Sequence, residues 1–408
     1  MSPSSPPRPS SPSIPPGVAA FLQHVLDGPT LRDIPDGTVG LGWVGGVPVT
    51  VATDLTAAVP ALATAARRAT PLLIVTDPGE GPTAAPPLAV GHRPAPWVPV
   101  VAVGRSPWAV VGADLSILLD ADGPADHTDQ DPAMAAGLVR RFLGLLRPAA
   151  ASPTAASPAG ASPAGAAPAR SASLTELVPF VPDAPYDIAA VLDAIVDAPG
   201  MLPLGERGAV LGGLARLGGR TVVVVASDAA HAGGRLDPSA LRTVARLTEL
   251  AASADLPIVS LVDSAGLLPA AAALDDVTTL LGTLGSVWAS PATQVTVVLG
   301  RAHGAAATVL GAVGARADIV VAWPRATFAG PDPAGPDPAG PDPAGPDPAG
   351  STADPVDPVE RASAWAAARD GALLDIIAPD ETRARLIEAL DVLRGAVAFA
   401  APRRSDRG

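Results

Sequence analysis

The sequence predicts an α/β protein made of two tandem copies of one unit, and three observations carry that prediction. A Gly-Gly pair flanked by apolar runs occurs twice, each pair is followed by an Ala/Leu-rich segment with helical spacing, and each series continues through the same ordered succession of short apolar strands. One such match is unremarkable; the whole ordered series twice is the mark of an internal duplication.

The first matched element is a hairpin. Leu41 to Ala52 reads as strand, Gly45-Gly46 turn, strand, and Val210 to Ala226 repeats this around Gly218-Gly219. Glycine pairs between apolar runs are hairpin turns, because both central residues need positive φ. Helices are expected over Ala57 to Arg68 and Ser239 to Ser253. Next come buried strands ending in aspartate, Pro71 to Asp77 and Pro257 to Asp263. Strands running into Gly-Arg come after them, Pro99 to Arg105 and Val295 to Arg301, and the last matched pair is Leu115 to Leu119 and Asp318 to Ala322. Alternation of this kind places functional sites at strand ends.

Three stretches have no packing pattern: residues 1–16, the Ala-Ser-Pro-Gly tract within 149–175, and the insert 330–357, where Gly-Pro-Asp-Pro-Ala is repeated four times. Proline removes amide donors and bars helix, so a solvated extended insert is expected, not a cation site. The partition is a tail (1–16), a shortened N-terminal half (17–148), a linker (149–175) and a C-terminal half (176–400).

Composition narrows the chemistry. The chain has no cysteine, which excludes disulfides, thiolate metal sites and a cysteine nucleophile, and no lysine, which excludes P-loop and Schiff-base chemistry. A net charge of -13 without a basic stripe argues against nucleic acid as a partner. No apolar run has the length of a membrane span, and the Ser/Pro-rich start lacks the apolar core of a secretory signal, so a cytoplasmic location is expected. His24, His92, His127, His231 and His303 show no metal-ligand spacing, and no metal is expected.

The turns after the two Gly-Arg pairs differ. In the second half, Gly300-Arg301-Ala302-His303-Gly304-Ala305-Ala306-Ala307 runs from a strand into a helix start built of small residues. The first amides of a helix lack intrahelical acceptors and can hold a developing oxyanion, each donor supplying ~3 kcal/mol of transition-state stabilisation. Gly304, Ala305 and Ala306 are the candidate catalytic and cofactor-binding residues, with His303 as a polar neighbour; tight packing of the helix on the sheet is the competing explanation. In the first half the matched turn carries Trp108, Ala109 and Val110, and Trp108 is expected to block the approach that Gly304 permits. Asp77 and Asp263 are expected to cap or bond turns, and Gly79 with Gly81 forms no complete phosphate loop. Asp263-Ser264-Ala265-Gly266 lacks the hydrolase elbow.

A further group of residues carries a resemblance. Val181-Pro182-Asp183 with Pro185-Tyr186-Asp187 and Ile195-Val196-Asp197, Leu236-Asp237, Leu256 to Asp263 with Gly266-Leu267-Leu268-Pro269, Arg301 to Ala307, Ala322-Trp323-Pro324 with Gly330-Pro331, and Ala368 to Pro379 succeed one another here. In that order they resemble the carboxyltransferase (β-type) subunits of biotin-dependent acyl-CoA carboxylases, and Val18 to Leu119 resembles the N-terminal half of that family. The resemblance implies a tandem crotonase-type (ClpP/crotonase) superhelical fold of ββα units. It implies carboxyl transfer from carboxybiotin to the α-carbon of an acyl-CoA, with no covalently bound cofactor. Ala305 and Ala306 amides would face biotin, and Trp108, Ala109, Val110 and Gly79 fall where the family binds acyl-CoA. A biotin carboxylase or biotin carrier subunit and a homo- or hetero-oligomer are the implied partners. Departures stand at Trp108, where the family has glycine, at Asp77-Pro78-Gly79-Glu80, where its arginine is missing, and at Thr243, where it has lysine. They leave open a catalytically impaired paralogue serving as a structural or regulatory partner of a carboxylase complex.

Overall fold

The computed structural model describes residues 16–28, 32–33, 39–53, 58–76, 97–105, 113–120, 123, 125–147, 167–179, 184–268, 282–283, 285, 287, 289–314, 317–329 and 362–400. The chain divides into two compact units, residues 1–147 with 204–206 and residues 148–203 with 207–408.

In the first unit the order is α1 (Pro16–Val25), β1 (Arg32–Asp33), β2 (Val39–Val44), β3 (Val47–Ala52), α2 (Ala58–Arg68), β4 (Leu72–Val75), β5 (Val100–Gly104), β6 (Leu115–Leu119), β7 (His127–Asp129) and α3 (Pro132–Leu146). Its sheet runs β1 to β7 in chain order, with β2 and β3 antiparallel around Gly45-Gly46 and β3 to β7 parallel. All four residues of β4 and all five of β6 are buried, as strands covered on both faces require. Ala58, Ala61 and Ala65 of α2 pack on Leu72, Ile74 and Ala102; small residues on the helix allow close approach to the sheet.

The second unit contains α4 (Leu174–Leu177), α5 (Ile188–Ile195), β8 (Leu202–Pro203), β9 (Val210–Leu217), β10 (Arg220–Ser227), α6 (Pro238–Ala254), β11 (Ile258–Ser264), β12 (Gln294–His303), α7 (Gly304–Val309), β13 (Ile319–Ala322), β14 (Thr327–Ala329), α8 (Ala364–Arg369), β15 (Asp375–Ile376) and α9 (Thr382–Ala400). Its sheet order is β15-β13-β12-β11-β10-β9-β8, with β14 added beside β12. The β9–β10 hairpin turns at Gly218 and Gly219, both at positive φ, and β10 to β13 are parallel. Asp237 caps α6 by accepting from Ala240 N at 2.7 Å, and Pro238 at the first helical position gives up no needed donor. The core joins Ile188 and Leu192 of α5, Val222 and Val224 of β10, Leu261, Val295, Val297, Trp323 and Leu386. Buried Trp323 donates its indole N–H to Thr382 Oγ1 at 2.9 Å, which ties α9 to the sheet.

The duplication extends to individual hydrogen bonds. Asp27, two residues past α1, accepts from Gly45 N at 2.9 Å and Gly46 N at 2.7 Å. Asp197, two residues past α5, accepts from Gly218 N at 3.1 Å and Gly219 N at 2.7 Å. Asp114 accepts from Val100 N at 2.8 Å, and Asp318 accepts from Gln294 N at 2.7 Å. Arg140 donates to the carbonyl of His24 near the end of α1, and Arg383 donates to that of Ile195 at the end of α5. Each unit thus holds its hairpin turn with a carboxylate delivered by the preceding helix.

Candidate functional site

The site lies at the carboxyl ends of β10, β11 and β12 in the second unit, where parallel sheets place their ligands. It is built from three loop ends. After β10 the chain turns tightly through Ala232, Gly233 and Gly234, all at positive φ, with Gly234 N donating to His231 O at 2.8 Å. After β11 comes Ala265-Gly266, and the two loops are sewn together. Ala265 N donates to Gly233 O at 3.3 Å, Leu236 N to Gly266 O at 3.0 Å, and Ser264 Oγ to Gly234 O at 2.6 Å. Gly234 is a steric necessity: a Cβ there would sit 2.2 Å from the carbonyl oxygen of Asp263.

The third loop end is the turn from β12 into α7. β12 pairs with β11 in register up to Val262↔Val298, and the register then shifts so that Ser264 faces Ala302. At this irregularity β12 changes neighbour. Val295 to Val298 pair with β13, whereas Arg301 to His303 pair with Thr327 to Ala329 of β14. Bulges of this sort bend a strand and re-aim the residues beyond them. Here those residues are His303, Gly304 at φ 58°, and the start of α7.

Asp263 occupies the irregularity. Its Oδ1 accepts from Arg301 N at 3.0 Å and from Arg301 Nε at 2.9 Å, and its Oδ2 accepts from Tyr186 O–H at 3.2 Å. Its own N–H donates to Ser227 Oγ at 2.7 Å. Where a turn cap was expected stands an ion pair between the buried Asp263 and the half-buried Arg301, with a shared phenol. Burial, together with the charge and hydrogen bond of Asp263, pushes the Tyr186 phenol above its ordinary range and keeps it a neutral donor. Arg301 meets a different fate from its counterpart, since Arg105 pairs with Asp120 at 2.9 Å near the surface.

Of the residues expected to act, His303, Gly304, Ala305 and Ala306 stand together at this turn. His303 Nε2 lies 3.0 Å from Thr327 Oγ1, Gly304 and Ala305 are half-buried, and Ala306 and Ala307 are buried. The first-turn amides of α7 have no intrahelical acceptor. Gly79, Trp108, Ala109, Val110 and Asp77 lie outside the described residues, as do the proline-rich repeats. No group of three or more His, Cys, Asp or Glu able to hold a metal occurs among the described residues. No helix among them is long and apolar enough to cross a membrane. The Tyr186–Asp263–Arg301 network and the glycine loop after β10 went unforeseen, although Gly300 beside Arg301 was a signal. A Cβ at Gly300 would come within 2.7 Å of the Asp263 carboxylate. Chemically, the arrangement offers backbone donors and small residues, which suits holding charge on an oxygen better than moving protons.

Comparison with known proteins identifies the family and the fold. Residues 113–335, more than half of the chain, match the carboxyl transferase domain family model. The chain is similar to the propionyl-CoA carboxylase carboxyltransferase subunit of Haloferax mediterranei, 32% identical over 230 residues, covering 54% of this chain and 45% of that protein. It is also similar to the biotin-dependent long chain acyl-coenzyme A carboxylase beta4 subunit of Mycobacterium tuberculosis, 31% identical over 241 residues, covering 54% of this chain and 44% of that protein. The match thus spans somewhat less than half the length of these curated relatives. Among solved structures, transcarboxylase 12S, crystallised as a hexamer with hydrolysed methylmalonyl-coenzyme A bound, superposes with a TM-score of 0.68 at 20% identity, covering 93% of this chain and 89% of that one. A single-chain, multi-domain long-chain acyl-CoA carboxylase gives 0.66 at 19% identity, covering 90% of this chain and 45% of that one. These likenesses show the tandem crotonase-type fold expected from the sequence. By fold, by the ordered residues of its second half and by the match over 113–335, the chain belongs to the carboxyl transferase domain family.

Proposed function

We propose that the chain is a carboxyltransferase subunit of an acyl-CoA carboxylase, moving a carboxyl group from carboxybiotin to an acyl-CoA. The observation that carries this is the turn His303 to Ala306. It lies within the region matched to the family and ends β12 with small residues and a helix start. The donor set fits a ureido or thioester oxygen: the amide of half-buried Ala305 would hold it beside the side-chain-free Gly304, whereas Ala306 is fully buried and would join only if the turn opens on binding. Carboxybiotin on a carrier protein, when bound, supplies the activated carboxyl group. The chain's own residues orient the acceptor oxygen and stabilise the charge that develops on it. One relative is named for propionyl-CoA and another for long-chain acyl-coenzyme A and biotin dependence, which supports an acyl-CoA and carrier-held biotin as the substrates here. A biotin carboxylase or carrier subunit is the partner, within an oligomer of this chain or of related subunits. A cysteine-free composition fits work in the reducing cytoplasm.

The test is carboxyl transfer by the purified chain. A carboxylated acyl-CoA panel is mixed with free biotin or a biotinylated carrier, and decarboxylated acyl-CoA is measured. Transfer by the wild type is expected, with a loss of about a hundredfold in kcat for Ala305→Leu, whose bulk obstructs the donors. No transfer with any acyl-CoA overturns the reading and leaves the structural-partner alternative. Co-purification with a biotin carboxylase or an active β-type subunit tests that alternative.

A further inference from the structure

The Asp263–Arg301 pair needs a reason to exist. Asp263 and Tyr186 are 8% and 7% exposed. Arg301 is half-buried. Taking a carboxylate out of water costs several kcal/mol, and apolar replacements for such pairs are often no less stable, so the burial of Asp263 is not explained by stability alone.

Its position supplies the reason. The carboxylate fills the space that Gly300 leaves and collects both the main-chain and the side-chain nitrogen of Arg301. This happens at the point where β12 loses its register with β11 and turns from β13 toward β14. Ser227 fixes Asp263 from β10, and Tyr186 fixes the other carboxylate oxygen from the segment before α5. Charged groups facing this cluster are Arg301 and, against Tyr186, Arg325, whose guanidinium lies 5.8 Å over the Trp323 ring and donates to Pro179 O. Two residues downstream of the anchored amide the turn His303 to Ala306 begins.

We propose that Asp263, with Tyr186 and Arg301, is a positioning network. It anchors the Arg301 amide, fixes the direction in which β12 leaves the sheet, and so sets the pose of His303 to Ala306. The catalytic consequence rests on the carboxyltransferase reading, whereas the structural one does not. Asp263→Asn loses the charge but keeps shape and an acceptor; Tyr186→Phe removes one hydroxyl.

The full chain and both variants are compared by hydrogen–deuterium exchange and by carboxyl transfer. In Asp263→Asn, amides of 299–307 should exchange about tenfold faster than in the wild type, with exchange in the β9–β10 hairpin unchanged. Tyr186→Phe should give the same pattern at about threefold. In transfer, kcat should fall about tenfold for Asp263→Asn, with KM for the acyl-CoA unchanged, as expected when donor placement is lost but substrate binding is not. Unchanged exchange over 299–307 overturns the network, whether or not the wild type transfers carboxyl groups. Loosened amides with an unchanged kcat overturn its positioning role. A wild type without transfer overturns only the proposed function, and exchange then decides this inference by itself. If Asp263→Asn fails to fold, Tyr186→Phe carries both readouts.

Discussion

The two hairpin clamps make a controlled comparison within one chain, because the same carboxylate-to-diglycine geometry occurs in different surroundings. Asp27 is exposed and receives the Gly45 and Gly46 amides. Asp197 is 1% exposed, receives the Gly218 and Gly219 amides, and is paired with the half-buried Arg383 at 2.5 Å. Asp27→Ala removes two hydrogen bonds that water replaces, at a cost of about 1 kcal/mol. Asp197→Ala removes the same two bonds and leaves the Arg383 guanidinium without its carboxylate, at a cost of about 3–5 kcal/mol. Urea unfolding of the full chain, monitored by circular dichroism and fitted as two transitions because the units are distinct, measures both. Equal losses at the two positions, or a loss at Asp197 below about 2 kcal/mol, would refute the assignment of most of the cost to the half-buried Arg383 cation.

Three further outcomes are expected from the same structure. Gly300→Ala should lose about 2–3 kcal/mol of stability by thermal unfolding and slow transfer, since its Cβ would meet the Asp263 carboxylate at 2.7 Å; wild-type behaviour would mean the carboxylate can retreat without consequence. Tyr186 is the single tyrosine, and burial with the adjacent Asp263 raises its phenol above the ordinary 10.0, so tyrosinate absorbance should appear only as the chain unfolds in base. Its contribution is present below the unfolded value and is lost as pH rises past it; a reversible titration of the folded chain near 10.0 would contradict this. At the acid side, burial pushes the Asp237 carboxyl up, but hydrogen bonds from the Ala240 amide and from Ser239 outweigh it and hold it below the ordinary 3.8. Its stabilisation is present above 3.8 and lost as pH falls through the lowered value, so Asp237→Asn should flatten the acid limb of a stability–pH curve.

Local chemistry decided what could be read from the sequence. Gly45-Gly46 and Gly218-Gly219 mark their turns because the required positive φ is a property of the residues themselves. The strands Leu72–Val75 and Ile258–Ser264 are visible because sheets covered on both faces need continuous apolar runs. The junction of β12 with α7 was legible because Gly304, at positive φ, is followed by small residues that start a helix. Long-range polar contacts were not. Asp263 finds Arg301 across 38 residues and Tyr186 across 77, and an aspartate ending a strand looks alike whether it caps a turn or enters an ion pair. The carboxylate clamps escaped notice too, because Asp27 and Asp197 lie outside the hairpins they hold.

The change of neighbour along β12 has a protective consequence. A strand that bends out of its sheet into a turn would ordinarily present an unpaired rim of amides and carbonyls, a template for joining another chain. β14 lies along Arg301 to His303 and occupies that rim, and its own far side is stitched to the chain before α8 through Phe328 N to Ala362 O at 2.6 Å and the Thr327–Ser363 bridge. Three residues of cover therefore let β12 leave its sheet at the turn without inviting strand-to-strand aggregation.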